Sequence, residues 1–92
     1  MSAKISDEQI EADILHKLYR KRKWGASHTD FTHLYKGVPP EYVREYKQMA
    51  EKLIREGVIL RKITSYGLHV SLNPNMSKYI KVRIRKFFEN II

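Results

Sequence analysis

The stretch "KGVPPEYVREYKQMAEKLIREGVILRK", residues 36–62, constrains the fold more than any other part of the chain. Pro39 biases Val38 away from the helical region, and Pro40 suits the first position of a helix. From about Pro40 to Glu56, Val43, Tyr46, Ala50, Leu53 and Ile54 recur at helical spacing on one side. Glu41, Arg44, Glu45, Gln48, Lys52 and Arg55 take the other side. Gly57 then stops the helix, and "VILRKI" has the β-branched content of a strand. A long amphipathic helix that turns at one glycine into a strand points to a mixed α+β domain.

The flanking segments extend that reading. A first helix starts after Ser6, with Asp7 and Glu8 in the turn where the helix dipole favours acids. Ile10, Ile14 and Leu18 form its apolar stripe, Leu15 and Tyr19 widen it, and Trp24-Gly25 ends it after the basic turn Arg20–Lys23. "SHTD", Ser27–Asp30, reads as a capping box opening a short second helix. Phe31, Leu34 and Tyr35 form that helix's apolar face, and Gly37 stops it. "TSYG", Thr64–Gly67, is a turn before a strand in which Leu68, Val70 and Leu72 alternate with His69 and Ser71. Asn73-Pro74 caps a last helix over 74–91, with Ile80, Ile84, Phe87, Phe88 and Ile91 on one face. Lys78, Lys81 and Arg85 lie on the opposite face of that helix. The expected order is helix, helix, helix, hairpin, helix in a single domain spanning 1–92, mostly α.

Composition narrows the function. The chain has no cysteine, which removes disulfides and thiolate chemistry. It has no apolar run near the ~20 residues that span a bilayer, and its acidic start does not resemble a secretory signal. A soluble cytoplasmic protein is expected. Net charge is +8, and it is unevenly spread. Residues 1–13 carry Lys4 against Asp7, Glu8, Glu11 and Asp13, whereas 14–23 carry Lys17, Arg20, Lys21, Arg22 and Lys23 with no acid. Residues 24–59 balance, and 60–92 hold seven bases against Glu89. Two basic blocks around a neutral middle favour a polyanionic partner.

Three helices leading into a hairpin through Leu53, Ile54, Gly57 and Ile59 resemble the winged helix-turn-helix DNA-binding domain, over about residues 8 to 73. The last helix is similar to that superfamily's variable C-terminal extension. High Lys, Ile and Tyr usage without cysteine is similar to small archaeal regulators. The resemblance implies that the third helix enters the major groove by its N-terminal half, presenting Glu41, Arg44, Glu45 and Gln48. Arg44 suits guanine O6 and N7, and Gln48 suits adenine N6 and N7. The glutamates can accept from cytosine N4 but are repelled by phosphate. The same charges also fit a solvated face tied by pairs such as Glu51 with Arg55. Arg20, Lys21, Arg22 and Lys23 are phosphate candidates, and so are Arg61 and Lys62 in the first strand of the wing. Thr64, Ser65 and Tyr66 give the tip hydroxyls and no cation, which suits hydrogen bonding to phosphate and not arginine-type reading of the minor groove.

The implied function is a sequence-specific, double-stranded-DNA-binding transcriptional regulator of the nucleoid. It would act as a homodimer through Ile80, Ile84, Phe87, Phe88 and Ile91, the other option being that this stripe packs on the first helix of its own chain. Two alternatives are a winged-helix protein-interaction module and a binder of structured RNA. His28, Asp30 and His33 in "HTDFTH" hold metal-ligand types, but their spacing leaves one helix face, and capping fits them better. His69 is expected on the wing surface. Neither a nucleotide-binding glycine loop nor a nucleophile motif is present, so no enzyme, no cofactor and no small-molecule ligand is expected. Trp24 and the tyrosines are read as core and flank rather than base-stacking platforms.

Overall fold

The computed structural model describes residues 5–88. Helix α1, Asp7–Arg20, opens where Ser6 accepts the Gln9 N–H at 3.1 Å, and it buries Ile10, Ile14, Leu15 and Leu18. It closes earlier than the sequence suggests. The Arg22 N–H donates to the Tyr19 carbonyl and the Lys23 N–H to the Leu18 carbonyl, both at 3.0 Å. These two bonds form the paired closure that satisfies orphan carbonyls at a helix end. The left-handed residue in this closure is Arg22, at φ 56°, while Gly25 takes the expected positive φ, 57°, three residues further on. A side chain there crowds its own backbone, so Arg22→Gly is expected to stabilise the fold by about 0.5–1 kcal/mol, read from urea denaturation.

The expected second helix is replaced by a strand and a single turn. Strand β1, Thr29–Asp30, pairs antiparallel with the residues Val70 and His69. The Asp30 carboxylate, rather than Ser27, caps the next turn, accepting the Thr32 N–H at 2.8 Å and the Thr32 hydroxyl at 2.7 Å. That turn is 3₁₀ in form and spans Phe31–Leu34. Strand pairing holds Thr29 and Asp30 extended, and Gly37 with two prolines then leaves no room for an α-helix. Pro40 does open a helical turn, Pro40–Tyr42, which passes into α2, Val43–Arg55.

Helix α2 buries Tyr46, Met49, Ala50 and Leu53 against α1. The Tyr46 phenol donates to Asp13 at 2.6 Å, and burial together with that bond pushes its pKa up. Lys17 donates to the Leu34 carbonyl at 3.1 Å and sits 5.2 Å from the Tyr46 ring centroid. Gly57, at φ 77°, closes α2 as expected, with the Val58 N–H donating to the Leu53 carbonyl at 3.0 Å. Strands β2, Ile59–Thr64, and β3, Gly67–Leu72, form an antiparallel hairpin registered from Ile59 opposite Leu72 to Thr64 opposite Gly67. The three strands lie in the order β1-β3-β2. Val58, Ile59, Val70 and Leu72 complete the core, beyond which β2 leaves the body and exposes Leu60 through Ile63.

Asn73 accepts the Asn75 N–H at 3.0 Å and donates to the Gly57 carbonyl at 2.8 Å, joining the end of α2 to a 3₁₀ turn, Pro74–Met76. Helix α3, Ser77–Arg85, is shorter than the expected 74–91. Its apolar stripe packs within the chain. Ile80 and Ile84 are wholly buried, and Phe88 stacks on His16 with ring centroids 4.0 Å apart. Arg83 donates to Glu11 Oε1 from two nitrogens, at 3.0 and 2.7 Å, and the Tyr79 hydroxyl donates to Glu11 Oε2 at 2.8 Å. The expected dimer stripe is therefore corrected: Ile80, Ile84 and Phe88 are occupied in cis, Phe87 is exposed, and Ile91 lies outside the described residues. The described fold is α+β, mostly helical, with three α-helices and one three-stranded antiparallel sheet, an arrangement compatible with a winged-helix-like class.

Candidate nucleic-acid interface

Helix α2 turns its core face to α1, so the opposite face is set by helical periodicity. Arg44, Gln48, Glu51 and Arg55 form one exposed row along it, with exposed Lys47 and Lys52 on its flanks. Glu41 is also exposed, in the turn that precedes the helix. Glu45 departs from the expectation. It is half-buried, and its Oε1 is fully buried without a hydrogen-bond partner. It lines a shallow cleft with Asp7, Gln48, Met49, Lys52 and Arg55, leaning toward the start of α1 rather than outward. Readout of a base by Glu45 is therefore not available from this position.

A second cleft separates α2 from the hairpin and is lined by Phe31, Glu51, Ile54, Arg55, Arg61 and Leu68. At its side, Lys47 lies 5.0 Å from the Tyr35 ring centroid, and Tyr35 meets Phe31 edge to face. Arg61 thus shares a groove with the outer row of α2. Lys62 does not. Successive side chains along a strand point to opposite faces, so Arg61 opposes Val70 on the core side while Lys62 opposes His69 on the outer side. The two bases are adjacent in sequence and expected to act together, but the pleat separates them.

At the hairpin tip the Thr64 hydroxyl is consumed by the turn. It donates to the Gly67 carbonyl at 2.9 Å and accepts the Tyr66 N–H at 3.0 Å. Ser65 and Tyr66 are left exposed, Tyr66 by 87%. Arg20, Lys21 and Arg22 are exposed at the end of α1, while Lys23 is half-buried and its carbonyl accepts the Leu72 N–H at 2.7 Å. That bond ties the basic turn to the base of the hairpin.

The distribution of ion pairs sharpens the field. Glu11 and Glu8 bind Arg83, Glu8 also reaches Lys86 at 3.5 Å, and Asp13 binds Lys17 at 3.7 Å. Among the described residues, Arg44, Lys47, Lys52, Arg55, Arg61, Lys62 and the Arg20–Lys23 turn join no ion pair, and the Glu51–Arg55 pair of the alternative, solvated-face reading is not formed. Glu8, Glu11 and Asp13 of α1 are thereby engaged with α3 and the α1–α2 seam. On α2 and at its ends the bases alternate with Glu41, Glu45, Glu51 and Glu56, so the excess of positive charge comes from Arg61, Lys62 and the Arg20–Lys23 turn that flank it.

His28, Asp30 and His33 do not converge, since His33 Nδ1 lies 2.6 Å from the Thr29 hydroxyl and His28 turns to His69. Among the described residues, no group of three or more metal-ligating side chains is placed to hold an ion, and no helix is long and apolar enough to cross a membrane. Sequence reasoning missed the groove residues Phe31 and Arg55 as site members, the neighbouring Lys47, and the His28–His69 contact. In the sequence Phe31 reads as part of an apolar helix face, and its actual neighbours depend on the irregular 31–42 segment.

The fold and these surfaces define a small, basic α+β domain with one bare helix face beside a projecting hairpin. No protein-family model matches the chain, and no curated protein or solved structure shows significant similarity to it.

Proposed function

We propose that the chain is a winged-helix module that binds double-stranded DNA and selects sequence through α2, as a transcriptional regulator does. One observation carries this reading. The outer row of α2 is exposed and, among the described residues, its arginines form no ion pair even though Glu51 shares the row, whereas Glu8 and Glu11 are engaged with α3. Arg44 and Gln48 stand where base edges would be met, and Arg55 with Arg61 flanks the same groove. Arg20, Lys21 and Arg22 supply phosphate attraction from the end of α1. The β2–β3 hairpin serves as the wing, with Ser65 and Tyr66 at its tip. A homodimer through α3 would rest on Val82 and Phe87, its exposed apolar side chains, because Ile80 and Ile84 are spent on α1.

A second reading, docking to a protein partner, is favoured by Ile63 and Tyr66, exposed by 72% and 87% at the end of the hairpin. Titration of random duplex at ~50 and ~200 mM salt separates the two. With about four phosphate contacts, duplex affinity is expected to fall on the order of a hundredfold across that range. Absence of duplex binding at low salt would select the docking module, and preference for a structured RNA would redirect the proposal to RNA.

A further inference from the structure

The outer face of the sheet, turned away from α2, carries a cluster that the reading helix does not use. His28 Nδ1 lies 2.8 Å from His69 Nδ1, with ring centroids 4.9 Å apart in an edge-to-face arrangement. Lys62 stands directly across the strands from His69. Lys23 lies close enough for its charge to be felt at His28. Both rings are half-buried. A nitrogen pair at this distance needs one N–H and one lone pair, so one ring carries its proton on Nδ1 and the other on Nε2.

That lone pair is the proton-accepting site. Filling it would point two N–H groups at each other, so the rings must part and turn their N–H groups outward. Among the described residues, one acid faces the pair to favour the added charge. Partial burial, then Lys62, His69 and Lys23, all hold the His28 pKa below the free-imidazole value of 6.5. Asp30, opposite His69, is the acid that faces the pair, and its carboxylate is held low by the Thr32 N–H and hydroxyl. His33, the remaining titratable group on this edge, is engaged with Thr29.

We propose that this outer face is a second phosphate-binding surface, in which Lys23, Lys62, His28 and His69 take a nucleic-acid backbone phosphate as the histidine pair gains a proton. A phosphate diester accepts from both imidazoles and both ammonium groups, and it adds negative charge where one carboxylate, Asp30, faces two lysines and the protonated pair. Proton and phosphate then favour each other reciprocally. Affinity on this face rises as pH falls. The inference rests on the nucleic-acid reading above but concerns a different face from α2.

The test uses the full chain and a labelled duplex of fixed sequence, titrated at pH 7.5 and pH 5.5 at constant ionic strength. One linked proton is expected to tighten wild-type binding about tenfold over that interval. His28→Gln with His69→Gln keeps a polar pair, and its fold is checked by thermal melting. In that variant the gain should shrink to about twofold or less. An undiminished gain in the double variant overturns the proposal. In parallel, the His28 and His69 ring signals are followed by NMR against pH, with and without inorganic phosphate. Phosphate should move both titrations to higher pH. If duplex binding is absent at both pH values, the α2 reading fails, and this arm decides alone: unmoved histidine titrations overturn the outer-face site, while shifted ones retain it as a site for free phosphate.

Discussion

Glu11→Ala is expected to destabilise the protein by about 3 kcal/mol, the largest effect of any single polar substitution proposed for this chain. Glu11 is 5% exposed and receives both Arg83 nitrogens and the Tyr79 hydroxyl. Its removal leaves the Arg83 guanidinium in the seam between α1 and α3 without its two-nitrogen partner and takes the acceptor from the Tyr79 hydroxyl. Breaking a buried ion pair from one side costs roughly 3–5 kcal/mol. The low end applies because Arg83 is 23% exposed and keeps Glu8 at 3.5 Å as a second partner. Replacing both partners, Glu11→Met with Arg83→Met, should return stability to within about 1 kcal/mol of wild type, since no charge is left unpaired and the Tyr79 hydroxyl, on a residue 38% exposed, can turn to water. Urea denaturation of the three chains measures this. A cost under ~1 kcal/mol for Glu11→Ala would mean that Ile80 and Ile84 dock α3 unaided.

The second large effect concerns binding. Lys21→Ala, Arg22→Ala and Arg61→Ala together should lower the slope of log affinity against log salt by about 2.7, at ~0.9 per lost phosphate contact. Duplex affinity near 0.1 M salt should fall on the order of 10- to 100-fold for every sequence alike, because phosphate contacts carry no base information. Arg44→Ala should act differently, leaving the slope nearly unchanged and relaxing preference at one base pair by about 1–3 kcal/mol. Arg22→Gly adds a control that separates folding from function, since it relieves the left-handed strain at φ 56° while removing a cation. Greater stability with weaker binding is the expected combination. An unchanged salt slope in the triple variant would remove the basic turn and Arg61 from the interface.

Much of the scaffold was legible in local sequence. Ser6, Asn73 and Gly57 act where their side chain, or its lack, suits a helix end. Ile10, Ile14 and Leu18, and Tyr46, Ala50 and Leu53, are buried because helical spacing places them on one face. Arg44 and Gln48 are exposed for the same reason in reverse. Where local signals competed, they misled. The apparent capping box at Ser27–Asp30 lost to pairing with β3, which only the distant strand could impose. Glu45 looked outward by periodicity yet is half-buried in a cleft that Asp7, at the start of α1, also lines.

What the sequence by itself determined is the set of elements with strong periods and clean stops: α1, α2, the hairpin and the apolar stripe of α3. Their signals are short-range, set by backbone sterics, capping bonds and the repeat of the helix and strand. Only the tertiary structure decided who faces whom. Glu11 meets Arg83 across 72 positions, Arg61 and Lys62 part to opposite faces, and His28 meets His69. Those outcomes depend on which surfaces close against each other, and burying a charge or aligning two imidazoles takes partners from distant segments.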